Sequence, residues 1–187
     1  MEILEFRKIY TNDVYDHHFN DGYAWSRIYE YALILEKLQK YSKDGDLIHN
    51  SSWGYEGVHV RFKEILDSLY SVEHSDIRPS NLQNTFIYNI LHNSEAMKEK
   101  YDIVINISTL EEVGGDHIEI FYNLLDQVKN NGYLMCTFDL PGLQLDKFER
   151  LFDKSIESLH ENINGVNSQV PNNHCADLNV GMIILKK

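Results

Sequence analysis

The sequence predicts an α/β fold: a three-layer sandwich built on a mostly parallel, seven-stranded sheet with an antiparallel closing strand. Three observations carry this expectation. From residue 23 onward, apolar residues alternate between helical and strand-like periods. Residues 101–108 form a continuous, β-branched run of the kind expected of a strand covered on both faces. The last two strand-like stretches, 162–170 and 180–185, have no helix between them, which implies an antiparallel edge.

The elements follow in order. The stretch to Asn20 is mixed, and residues 13–18 are too polar for a core. Trp25, Ile28, Tyr29, Ala32, Leu35 and Leu38 recur at three- and four-residue intervals, predicting a helix over 23–38. Lys43-Asp44-Gly45-Asp46 ends it as a turn. Leu47 and Ile48 open a short strand that runs into a loop over 51–57. Val58, Phe62, Ile65, Leu66 and Leu69 then form the buried stripe of a helix over 58–69. Residues 70–75 are a second strand ending at Asp76, and 85–91 a third, interrupted by Asn89. The run over 101–108 is the fourth. A helix over 118–128, a turn at Asn130-Asn131-Gly132, a fifth strand over 133–138 and a helix over 145–159 precede the two closing strands.

Composition narrows the function. A chain of 187 residues suits one domain, with residues 1–45 as an N-terminal helical cap and 46–187 as the core. Lys and Arg total 17 against 29 acids, for a formal net charge of −12, so a general polyanion binder is disfavoured and no nucleic-acid partner is expected. The longest apolar run, 182–185, falls far short of the ~20 residues that span a bilayer. The first residues lack the basic and apolar regions of a secretory signal, so a cytoplasmic location with no membrane partner is expected. Cys136 lies in an apolar strand and reads as a small core residue, and no disulfide with Cys175 is expected. Nine histidines invite a metal, yet no His-x-x-x-His or Cys-x-x-Cys spacing supports one and none is expected.

Parallel sheets bind ligands at the carboxyl ends of their strands, beside the reversal of strand order. The loops that matter therefore begin near His49, Asp76, Asn89, Ser108 and Asp139. On these loops the sequence resembles class I S-adenosylmethionine-dependent methyltransferases. The run from Tyr101 to Gly114 is similar to that family's fourth strand and its following Ser-x-x-Glu-His loop, although Glu112 stands at the His position. Leu124 to Leu134 is similar to its helix, Lys-Pro-Gly-Gly turn and fifth strand. The Arg27-x-x-Glu30-Tyr31 segment resembles a helix that precedes the first strand in some small-molecule members. Together the likeness covers about residues 23–187 and implies a Rossmann-like fold with S-adenosylmethionine as cofactor.

The resemblance also implies roles. The family's acid followed by Gly-x-Gly-x-Gly is met here by His49, Ser51, Trp53, Gly54 and Gly57, which would form the cofactor loop. Glycine there lets backbone N–H groups approach the amino-acid part of the cofactor; serine does so only at a steric cost. Asp76 would accept the ribose hydroxyls and Asn89 would meet the adenine edge, and Ser108 is a further cofactor-binding candidate. Simple turn capping is the competing reading for Asp76, Gly54 and Gly57. Glu111, Glu112 and His117 follow the fourth strand, where an acceptor meets the methyl group, and each is a candidate proton acceptor. Helix-terminal charge is the competing reading for them. Tyr23, Trp25 and Arg27 would wall the pocket of a small polar metabolite or glycan precursor. The altered loop supports an alternative, a catalytically inactive methyltransferase-like binding or assembly protein. A homo-oligomer is compatible with either. A nicotinamide-dependent enzyme fits the strand–helix order but neither the Gly-poor turn nor the closing strands.

Overall fold

The computed structural model describes residues 1–9, 13–14, 16–19, 26–51, 54, 58–140, 142–153 and 180–187. Seven strands form one sheet in the order β1-β7-β6-β5-β2-β3-β4. They are β1 (Glu2–Lys8), β2 (Leu47–Ser51), β3 (Ser71–Asp76), β4 (Thr85–Ile87), β5 (Tyr101–Ile107), β6 (Val128–Asp139) and β7 (Val180–Lys186). β4, β3, β2, β5 and β6 run parallel, while β7 is antiparallel to both of its neighbours, β6 and β1. The expected architecture is present.

Strand alternation splits the core into two layers. Ile48, Val72, Ile103, Ile105, Met135 and Ile184 face helices α1 (Arg27–Tyr41) and α2 (Val58–Leu69). Val104, Leu134, Cys136, Phe138 and Ile183 face α3 (His117–Asp126) and α4 (Leu145–Phe152) on the other side. Asp116 caps α3, its Oδ1 accepting from the Ile118 N–H at 2.9 Å. Cys136 is a fully buried free thiol. Gly132 is required by close approach, because a Cβ there would lie 2.4 Å from the Asp102 carbonyl oxygen.

Several boundaries differ from the pattern. Glu2–Lys8 is a strand that the pattern did not signal, because a register shift between Ile3 and Glu5 breaks its two-residue period. The first helix runs over Arg27–Tyr41, and Ser42 closes it through its Oγ to the Leu38 carbonyl at 2.6 Å. β4 stops at Ile87, and the expected 85–91 strand gives way to an Asn89 turn in which Oδ1 accepts from Leu91 N–H at 3.0 Å. Asn130–Gly132 lies within β6, with Asn131 at φ 66°. The helix expected over 145–159 is described as far as Phe152; its remainder and the strand expected over 162–170 lie outside the described residues. Among the described residues no helix is long and apolar enough to cross a membrane.

Candidate functional site

The chain runs outward from β2 through β3 to β4, then crosses back to β5 and β6. Strand order therefore reverses between β2 and β5, and a cleft of about 580 Å³ opens above their carboxyl ends. Arg27, Asn50, Gly54, Asp76, Asn89, Ser108 and Glu112 line it among the expected or neighbouring residues. Tyr31, His59, Phe62, Ile90 and Leu91 supply apolar wall.

Asp76 ends β3 and is nearly buried. Its Oδ1 accepts from the Arg78 backbone N–H at 3.0 Å, and the largely exposed Arg78 guanidinium lies 3.4 Å away. The carboxylate is thus held rigid by backbone while its other contact is a surface side chain that a ligand can displace. The Asn89 turn engages Oδ1, which leaves the Nδ2 donor outside that turn. Ser108 follows β5 in the left-handed region, at φ 39°. Gly54 follows β2, and a Cβ on it would lie 2.8 Å from His59 Cδ2. His59 in turn pairs through Nδ1 with the hydroxyl of Tyr31.

A buried charge cluster lies beside Arg27 and Ser108 of the lining. Glu30, on α1, is fully buried and takes hydrogen bonds from Ser108 Oγ and from Thr137 Oγ1 (2.6 Å), and it is ion-paired with Arg27. Burial works to raise its pKa; Arg27 and the hydroxyls outweigh that and hold it low. Arg27 is raised, its burial overcome by the charges of Glu30 and Asp139. Asp139, at the end of β6, is pushed up to about 7 by burial and then by the Glu30 charge. The negative charge rests first on Glu30, and Asp139 is about half protonated at neutral pH.

The other expected residues lie elsewhere. His49 does not line the cleft: β2 alternates, so His49 points into the opposite layer while Asn50 faces the opening. Ser51 is buried and likewise outside the lining. Glu111 packs beneath, its Oε1 accepting from the Asp139 N–H at 2.6 Å. The His117 ring is spent on structure, with Nδ1 3.1 Å from the Gln144 N–H and Nε2 3.2 Å from the Val113 carbonyl oxygen. Tyr23, Trp25, Trp53 and Gly57 lie outside the described residues. Sequence reasoning missed Asn50, Glu30 and His59. A signal for Asn50 existed: read one residue later, Asn50-x-Ser52-x-Gly54 sets Gly54 on the second glycine of the family pattern, and β2 then faces the cleft correctly.

No family model matches the chain, and no curated protein matches it by sequence. Solved structures do match its fold. A TehB-like S-adenosylmethionine-dependent methyltransferase from Corynebacterium glutamicum is similar with a TM-score of 0.55 at 14% identity, over 86% of this chain and 89% of that one. An S-adenosylmethionine-dependent methyltransferase from Archaeoglobus fulgidus gives 0.54 at 12% identity, over 90% and 100%. The 1,6-didemethyltoxoflavin-N1-methyltransferase of Burkholderia thailandensis, solved with bound 1,6-didemethyltoxoflavin and S-adenosylhomocysteine, gives 0.55 at 10%, over 89% and 79%. The chain has the Rossmann-like fold of class I S-adenosylmethionine-dependent methyltransferases.

Proposed function

We propose that this chain, on its class I methyltransferase fold, binds S-adenosylmethionine in the β2/β5 cleft and methylates a small polar acceptor such as a metabolite or glycan precursor. The observation that carries the reading is the grouping of Asp76, Asn89, Gly54 and Ser108 around one cleft at the switch point. These residues suit the cofactor: the Asp76 carboxylate accepts from a diol, Asn89 Nδ2 donates to a ring nitrogen, and Gly54 permits close backbone approach. Ile90 and Leu91 give an adenine ring an apolar bed.

Bound S-adenosylmethionine supplies a methyl group on a sulfonium sulfur, activated for in-line displacement. The remaining task of the chain is alignment, exclusion of water and removal of a proton. Glu112 is the candidate proton acceptor, because of the three acids and bases after β5 it alone lines the cleft. Arg27 and Thr109 extend the polar lining toward the acceptor. The acidity of the chain and the modest cleft favour a small acceptor over nucleic acid.

Titration calorimetry with S-adenosylhomocysteine tests this. Saturable binding is expected, weakened at least tenfold by Asp76→Ala, as loss of a charged hydrogen-bond acceptor requires. No heat of binding at millimolar ligand sinks the reading and leaves the inactive assembly protein as the better account.

A further inference from the structure

Asn50 reaches the cleft from β2, but its amide is engaged from behind. The His74 ring, on β3, is wholly buried between β2 and α2. His74 Nε2 lies 3.0 Å from Asp67 Oδ1, and His74 Nδ1 lies 3.1 Å from Asn50 Nδ2. A carboxylate only accepts hydrogen bonds, so the His74 proton sits on Nε2 and Nδ1 presents a lone pair. Of the two groups of the Asn50 amide, only the NH₂ can donate to that lone pair. The orientation of the amide is therefore decided, and its carbonyl oxygen Oδ1 is left for the cleft. Asn50 makes no other side-chain hydrogen bond among the described residues.

The chain of contacts is well anchored. Lys63 is ion-paired with Asp67 Oδ2, on the same face of α2. Burial works to raise Asp67, and the hydrogen bonds from Lys63 and His74 outweigh it and keep the carboxylate ionised. Burial also lowers His74, to about 4, with Asp67 only partly opposing. The ring is neutral at physiological pH, as the arrangement needs. It also explains why no acid stands at residue 50. A carboxylate there would face the Nδ1 lone pair at hydrogen-bond distance.

We propose that Asp67, His74 and Asn50 form a positioning chain that aims Asn50 Oδ1 at the α-ammonium of the cofactor's amino-acid end. The assignment rests on the S-adenosylmethionine reading above. Asp76 and Asn89, from the β3 and β4 side, serve the ribose and adenine. That leaves the donor-seeking oxygen beside Gly54, at the exit of β2, for the opposite end of the ligand. His74 acts here through Asn50 and touches no ligand.

Two ligands and two variants test it. Calorimetry compares S-adenosylhomocysteine with 5′-methylthioadenosine, which lacks the amino-acid end. Asn50→Ala and His74→Phe should each weaken S-adenosylhomocysteine binding about tenfold. The double variant should be no weaker than either one, since both break the same chain. Binding of 5′-methylthioadenosine should be unchanged by Asn50→Ala. Additive losses, equal losses for both ligands, or a folded His74→Phe protein that binds as the wild type overturn the proposal. A ligand-free readout covers variants that fold poorly. In Asn50→Asp the ring lies between two carboxylates, and its NMR carbon shifts should report a protonated His74 at pH 7. A His74 that stays neutral there overturns the hydrogen-bond chain. If the wild type binds neither ligand, the cofactor reading fails and with it the role of Oδ1, while the NMR result still decides the chain itself.

Discussion

His49 and Gln127 are joined by a buried hydrogen bond of 2.7 Å, in which Nδ1–H donates to the Gln127 side-chain oxygen. Gln127 donates its own NH₂ to Asn123 O at 3.2 Å and to the Tyr88 hydroxyl at 3.0 Å, which fixes that oxygen toward the ring. The second ring nitrogen accepts from Ser75 Oγ at 2.8 Å. Tyr101 and Phe86 stack against the ring, with centroids at 4.7 and 5.4 Å. The residue that motif order alone sets at the family's acid is thus a fully satisfied core histidine, and it ties β2 to β3 and to the end of α3.

Burial drives His49 down to about 3, so the native ring stays neutral where an unfolded one, near 6.5, already binds a proton. Stability is therefore whole above the unfolded pKa and is lost as pH falls toward the folded one. His49→Phe keeps the volume but leaves Gln127 and Ser75 unpaired, and should cost about 1–3 kcal/mol at pH 7.5. It should also remove about one proton's worth of slope, ~1.4 kcal/mol per pH unit, between roughly pH 6 and 4. Urea midpoints measured across that range check both. An unchanged slope would refute the neutral buried ring.

Glu111 behaves in the opposite sense. Burial pushes its carboxyl up to about 8, with the charges of Asp139 and Glu30 adding to the effect and backbone hydrogen bonds opposing it. Oε2 has no hydrogen-bond partner among the described residues. The native state keeps a proton that the unfolded state releases near 4.5, so stability falls as pH rises from about 4.5 to about 8. Glu111→Gln keeps an oxygen for the Asp139 N–H and carries no titrating proton. It should raise stability by about 2 kcal/mol at pH 8 and change little at pH 4.5. Thermal melts at the two pH values decide it, and equal effects at both would contradict the raised pKa.

Gly54 meets the ring of His59, which is tied to Tyr31, and Tyr31 stacks on Phe62 at 4.0 Å. A branched side chain here must displace that ring, which itself lines the cleft. Gly54→Val should lower S-adenosylhomocysteine affinity at least tenfold while costing less than about 1 kcal/mol of stability. Calorimetry beside a denaturation curve separates the two, and tight binding by the variant would remove Gly54 from the cofactor loop.

Much of the fold was legible. The helix over Val58–Leu69 has the bounds its apolar stripe set, although Ile65 is only partly buried and Leu69 is exposed, and the strands at Ser71–Asp76, Tyr101–Ile107 and Val180–Lys186 lie where continuous or alternating runs put them. β1 was not legible, because its bulge hides the period, and neither was the early end of β4, where a side-chain turn overrides an apolar run. Asp76, Asn89 and Ser108, which motif order singles out, do line the cleft. His49 and Asn50 could not be told apart, since a shift of one residue in a strand reverses which face each one serves.

By itself the sequence determined the order of the described helices and strands from α1 onward and the loops that open at one end of the sheet, because periodicity is local and survives without partners. Only the tertiary structure decided which side chains share a cleft and how they are charged. Neighbouring strands and helices do this: they turn His49 inward against Gln127, aim Asn50 through His74, and gather Glu30, Asp139 and Arg27 from distant parts of the chain. Burial and hydrogen bonding at that distance have no signature in spacing along the chain.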